Sequence, residues 1–169
     1  MQAANIDETP RVGEMPREYA ERLAREKALA VSRQRPHESV LGADTIVVVD
    51  EVIMGKPVDG ADAVRMLRLL SGRKHAVITG VCLVGAEGSN QLPVASKTAS
   101  ETTLVTMNKL SDAEIREYVA TGEPMDKAGA YAIQGMASRW IPRIEGDYSN
   151  VVGLPVALVY GMLRDAGKA

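Results

Sequence analysis

The stretch Ala76 to Ala86, AVITGVCLVGA, is the longest mostly apolar run in the chain and limits its possible folds most. A helix that spans a bilayer needs roughly 20 apolar residues, so this run is too short to cross one and reads as a buried strand. A second run, Ile46 to Val49, is β-branched throughout, as in a strand covered on both faces. Buried strands need helices over them, and helical periodicity flanks both runs.

From Pro16, a residue suited to the first helical position, apolar side chains recur at Ala20, Leu23, Ala24, Ala28 and Val31, the stripe of an amphipathic helix. The segment 40–57 carries the Ile46–Val49 strand and is turned by Asp50-Glu51. Asp59 is placed to cap a helix bearing Ala63, Met66, Leu67 and Leu70, and Gly72 falls where a left-handed residue would end it. A strand is predicted over 75–84, and another over Val94 to Met107, where Thr and Ser alternate with Ala, Val and Leu. Ser111 and Glu114 form a capping box for a helix carrying Ile115, Tyr118 and Val119 and ending before Gly122. Short strands are predicted around Tyr131 to Gln134 and Trp140 to Ile144, then a terminal helix from Pro155 bearing Leu158, Val159, Met162 and Leu163. There is no internal repeat or low-complexity tract, so residues 1–169 read as a single α/β domain.

Composition excludes several functions. With 46% apolar and 25% charged residues among 169, the chain has the make-up of an ordinary globular domain. Its net charge of −2 leaves no basic excess to neutralise a nucleic-acid backbone, so no nucleic-acid partner is expected. The one cysteine, Cys82, forms neither an intramolecular disulfide nor a zinc site by itself, which points to a reducing compartment. The opening MQAANIDETPR is polar and acidic, without the basic and apolar regions of a secretory signal. Cytoplasm is the expected location, with no membrane attachment. The motifs G-x-x-x-x-G-K-[ST], G-x-G-x-x-G and H-E-x-x-H are all missing from the sequence, which sets aside P-loop, dinucleotide-binding and zincin chemistry.

Several polar residues occupy positions that packing alone would fill with apolar ones. Asp44 precedes the buried strand run behind Gly42 and Ala43, so its carboxylate is expected to be partly buried and to need a cation or donors. A turn that satisfies backbone amides and a catalytic role both fit. Lys27 falls on the apolar stripe of the first helix, where its stem either snorkels to water or aims its ammonium into a cleft. Lys56, between Gly55 and Pro57, is placed on a fixed backbone and could meet a phosphate or simply solvent. Gln134 ends an apolar segment with an amide able to read a base edge or to make a local hydrogen bond. Asp7-Glu8, Asp126-Lys127 and Gly146-Asp147-Tyr148 are polar clusters in predicted loops. His37 and His75 are isolated and read as surface or packing residues. Trp140 and the scattered tyrosines form no base-stacking platform.

Taken in order, Asn5-Ile6-Asp7-Glu8, Gly13-Glu14-x-Pro16-x-x-Tyr19-x-x-Arg22-Leu23-Ala24-x-x-Lys27-Ala28, Gly42-Ala43-Asp44-Thr45, Gly55-Lys56-Pro57 and Leu70-Ser71-Gly72-x-x-His75 resemble the Maf family of nucleoside triphosphate pyrophosphatases. The likeness continues through Thr79-Gly80-Val81, the run Tyr118 to Gly135, and Gly146-Asp147-Tyr148-Ser149-Asn150 to Pro155. The family's pattern opens with a strand and an S-x-S-P-R-R-like phosphate loop, and this sequence begins after that point.

The resemblance implies a mixed, twisted sheet flanked by helices, in a two-lobed fold like that of inosine triphosphatases, with a nucleotide cleft. It also implies a homodimer that hydrolyses a nucleoside triphosphate between the α and β phosphates with Mg²⁺ or Mn²⁺. Asp44 would be the general base, Lys27 and Lys56 would neutralise triphosphate charge, and Glu8 with Asp44 would offer hard oxygen ligands to the metal. Thr45 with Gln134 resembles the subgroup acting on dTTP and UTP, whereas the 7-methyl-GTP subgroup has Glu at the end of that segment. A nucleotide-binding or division-regulating protein that has lost catalysis, and a 7-methyl-GTP pyrophosphatase, are the alternatives.

Overall fold

The computed structural model describes residues 2, 4, 6–86 and 96–168. The chain is α/β, with five principal helices and one five-stranded sheet among these residues. Helix α1 spans Pro16–Ser32, strand β1 Val40–Val49, β2 Val52–Met54, α2 Gly60–Leu70, β3 Lys74–Val84 and β4 Ser96–Thr106. Then follow α3 (Asp112–Ala120), three 3₁₀ turns between Glu123 and Trp140, β5 (Arg143–Glu145), α4 (Tyr148–Val152) and α5 (Val156–Asp165). The strands lie in the order β2-β1-β3-β4-β5, with β1/β2 and β4/β5 antiparallel. No described helix is long and apolar enough to cross a membrane.

Most local signals operate as their chemistry requires. Pro16 opens α1, where Glu18 accepts a hydrogen bond from Met15 N at 3.3 Å. Asp59 caps α2 by accepting from Asp62 N at 2.8 Å, and Gly72 follows that helix at φ 71°. Ser111 and Glu114 make the expected reciprocal cap of α3. Asp50 and Glu51 both have positive φ, forming the two-residue turn that joins β1 to β2.

The structure departs from expectation in four places. Residues 131–134 form no strand: Gly135 N returns to Ala132 O at 3.0 Å, so the backbone turns where an apolar run suggested extension. Trp140 ends a 3₁₀ turn, and the strand expected around it begins only at Arg143. Helix α4 carries only one buried residue, Asn150, and so has no apolar stripe by which to read it. In β4 the alternation holds, with Thr103 and Val105 buried, but Leu104 falls on the outer face at 37% exposed and a threonine takes an inner position. Val94, the expected start of that strand, lies outside the described residues.

The described residues divide into two compact units, one from 1–45, 79–101 and 153–169 and the other from 46–78 and 102–152. In the first, Ala24 and Ala28 of α1 pack with Val40, Cys82 and Val84, while Val159 and Met162 of α5 pack with Val81 and Leu83. Side chains alternate along a strand, so α1 and α5 cover opposite faces. The core of the second unit joins Val47, Met54, Val77 and Val105 to Met66, Leu67 and Leu70 of α2, Ile115 and Tyr118 of α3, and Trp140.

Two glycines set the geometry of the first unit. A Cβ at Gly42 would lie 2.4 Å from Ala24 O, and one at Gly80 would lie 2.3 Å from Ala20 O. Only glycine lets β1 and β3 come this close to the backbone of α1, whose own facing residues are alanines. The next residue on the same face of β1 as Gly42 is Asp44.

Candidate functional site

One turn beyond Ala24, α1 projects Lys27 over β1. Its ammonium donates to Asp44 Oδ1 at 2.5 Å and pairs with Glu8 Oε1 at 2.7 Å. Asp44 is 13% exposed, whereas Glu8 is 55% exposed. Burial pulls the Lys27 pKa down, but the hydrogen bonds that the ammonium donates to the Asp44 and Glu8 carboxylates outweigh it and hold the group above the usual lysine range. The lysine stem on an apolar helix face thus ends in a paired, partly buried ammonium.

The segment that carries Glu8 is tied to the same helix. Tyr19 OH donates to Glu8 O at 2.6 Å, and Arg22 donates to Thr9 O at 3.1 Å. Arg22 also grips Glu14 with two hydrogen bonds, at 2.6 and 2.9 Å, and its guanidinium lies 5.3 Å from the centre of the Tyr19 ring. That fork pulls the Glu14 pKa down to about 2. Burial, reinforced by the Asp44 and Glu8 charges, pushes the Tyr19 phenol up, so it remains a donor.

Thr45 is not brought to this group. Its hydroxyl lies 2.9 Å from the Thr79 hydroxyl and 3.3 Å from Gly153 O, on the strand face opposite Asp44. Lys56 and Gln134 belong to the second unit, and both are exposed. Gly129 N donates to Gly55 O at 3.0 Å, tying the residue before Lys56 to the 128–130 turn. Asp126, paired with Lys127 at 2.9 Å, is held below the usual carboxylate range chiefly by that lysine, with a smaller contribution from Lys56.

Asp44 and Glu8 converge on a single positive charge, and both are hard oxygen donors. Among the described residues no group of three or more His, Cys, Asp or Glu is arranged to hold a metal. Mg²⁺ is commonly held by one or two carboxylates while water and substrate phosphates fill the remaining positions. Glu8 and Asp44 are the side chains of this group that could hold a divalent cation shared with a phosphate ligand.

Sequence reasoning did not single out Tyr19, Arg22 and Glu14 as parts of this group. Tyr19, Arg22 and Glu26 stand at helical spacing on α1, and Glu26 does meet Arg22 at 3.3 Å. That spacing was the available signal. The two histidines behave as packing and surface groups: His75 is buried edge-on to Tyr131, with ring centres 5.4 Å apart, and His37 is exposed. Cys82 is buried, and burial raises its thiol pKa.

The sequence profile of the family described as Maf-like protein matches residues 1–166. A protein of Koribacter versatilis named dTTP/UTP pyrophosphatase is 55% identical over 167 residues, which cover 99% of this chain and 83% of that protein. One of the same name from Geobacter sulfurreducens is 52% identical over 165 residues, covering 98% of this chain and 84% of the relative. In Shewanella oneidensis a third is 51% identical over 168 residues, covering 98% and 83%.

Proposed function

The chain belongs to the Maf family, and from that premise we propose that it is a dTTP/UTP pyrophosphatase, converting the triphosphate and water into the monophosphate and pyrophosphate. The observation that carries this reading is the convergence of Asp44 and Glu8 on Lys27, a partly buried acid–base pair beside an exposed carboxylate. The relatives' shared name supplies the substrate class.

In this reading Asp44 takes a proton from the attacking water as the water oxygen forms a bond to the α phosphorus. The bond from that phosphorus to the bridging oxygen breaks, and pyrophosphate leaves with the electron pair. Lys27 pairs with Asp44 and adds positive charge near the phosphates. Mg²⁺ or Mn²⁺, held through Glu8 and Asp44, would supply Lewis-acid stabilisation of phosphate charge. Lys56 is assigned to triphosphate charge and Gln134 to the base, and Thr45 contributes through its hydroxyl pair with Thr79. A homodimer and a cytoplasmic location complete the proposal. The buried thiol suits a reducing compartment.

The test is pyrophosphate release from dTTP, UTP, CTP and 7-methyl-GTP with Mg²⁺ or Mn²⁺. Wild type should favour dTTP and UTP, and Asp44→Asn should lower turnover by about 100- to 10,000-fold while nucleotide still raises Tm. Unchanged turnover in Asp44→Asn would sink the general-base assignment. Thermal stabilisation of wild type by nucleotide without pyrophosphate release would favour a binding protein instead.

A further inference from the structure

The turn that carries Gln134 is held on both sides by one side-chain pair. Tyr118, fully buried on α3, accepts from Ala132 N at 3.2 Å and donates to Glu123 Oε1 at 2.8 Å. The Glu123 carboxylate accepts in turn from Met136 N, at 3.1 Å to Oε1 and 3.3 Å to Oε2. Ala132 and Met136 stand two residues before and after Gln134. Both flanking amides are therefore satisfied by this pair, and the Gln134 side chain is left exposed.

Gly135 shows how closely the carboxylate is seated. Its φ of −101° is open to any residue, so its identity is not set by backbone conformation. A Cβ there would lie 2.0 Å from Glu123 Oε1. Burial, followed by the hydrogen bond to Glu123, raises the Tyr118 phenol well above its ordinary value, so it stays protonated and able to donate. A carboxylate that accepts from a backbone amide makes a charge-assisted bond, stronger than a neutral one.

We propose that Glu123, supported by Tyr118, is a positioning residue for base selection: it fixes the backbone on either side of Gln134 and so sets the direction in which that amide meets the pyrimidine edge. An amide discriminates between bases only when its donor and acceptor are held in a set orientation, because a free one turns to suit either pattern. The inference rests on the pyrimidine triphosphate reading above and adds a residue that does not touch substrate.

The experiment measures pyrophosphate release from dTTP, UTP and CTP by the full chain carrying Glu123→Ala, Glu123→Gln or Tyr118→Phe. Glu123→Ala should raise KM for dTTP and UTP about tenfold and reduce their preference over CTP by a similar factor, with kcat within about twofold of wild type. Glu123→Gln should restore most of the loss, because Oε1 alone accepts from both Tyr118 OH and Met136 N. Tyr118→Phe keeps the ring edge-on to Trp140, with centres 5.2 Å apart, and should move KM in the same direction by about threefold. If Glu123→Ala fails to fold, Tyr118→Phe decides. An active wild type with unchanged KM and base preference in the variants overturns this inference alone, as does an equal fall in kcat for every base. A wild type that releases no pyrophosphate from any triphosphate overturns the functional reading and this inference with it.

Discussion

In the unit that holds Lys27, Asp44 and Glu8, the candidate functional side chains are held by one another; in the unit that holds Gln134, the backbone is held and the side chain is left exposed. The first arrangement is built from charges. Lys27 sits between two carboxylates, and the segment bearing one of them is tied down by Arg22 and Tyr19. The second is built around a buried phenol and a carboxylate that seat a turn. Charged groups held by ion pairs exchange partners when a ligand brings charge of its own, whereas a turn pinned at two amides keeps its shape. In the proposed reading, that difference suits phosphate handling in one place and recognition of a neutral base in the other.

The comparison is broken most severely by changing how α1 rests on its strands. Gly80→Ala would put a methyl group 2.3 Å from Ala20 O. It should cost more than about 3 kcal/mol in a urea melt, because backbone rather than a flexible side chain must move. A wild-type midpoint for Gly80→Ala would show that α1 does not depend on this close seating against β3.

The second unit should carry a pH dependence of its own through His75. Its Nε2 lies 2.8 Å from Tyr131 OH, its Nδ1 has no hydrogen-bond partner among the described residues, and burial lowers its pKa to about 4. The unfolded chain takes up this proton below about pH 6.5 but the folded chain only near pH 4. Stability from His75 is therefore present above pH 6.5 and lost as pH falls toward 4, by on the order of 3 kcal/mol. Urea midpoints across that window should fall in wild type and flatten in His75→Gln; parallel curves would refute the assignment.

The smallest effect sharpens the charged side of the comparison. Glu14 has a folded pKa near 2, so its contribution is present above about pH 4.5 and disappears as pH falls through 2. Glu14→Gln should lose about 1 to 2 kcal/mol at pH 7, and its gap from wild type should close between pH 4.5 and 2. A gap that stays constant with pH would mean that packing, rather than the Arg22 pair, accounts for the loss.

Much of the fold was legible in the sequence wherever a signal acts over one or two turns of chain. Pro16, Asp59, Ser111 with Glu114, and Gly72 mark helix ends because capping joins residues three or four apart. The segment from Tyr131 to Gln134 was misread as a strand because Tyr131 and Ile133 are apolar for a different reason: both are buried in the second unit around a turned backbone. Periodicity reports burial, and it reports backbone conformation only when the chain is regular.

The candidate site divides in the same way. Asp44 before a buried run and Lys27 on an apolar stripe are anomalies visible in the sequence, and alternation along β1 already separates Thr45 from Asp44. By itself, then, the chain determined which residues are out of place for packing and which short segments coil or extend, because those properties depend on neighbours a few residues away. Only the tertiary structure decided that Lys27 meets both Asp44 and Glu8, that Arg22 grips Glu14, and that Glu123 fills the space a side chain at Gly135 would need. Those contacts depend on how closely separate segments approach, and that distance is set by small residues packed face to face rather than by any local pattern.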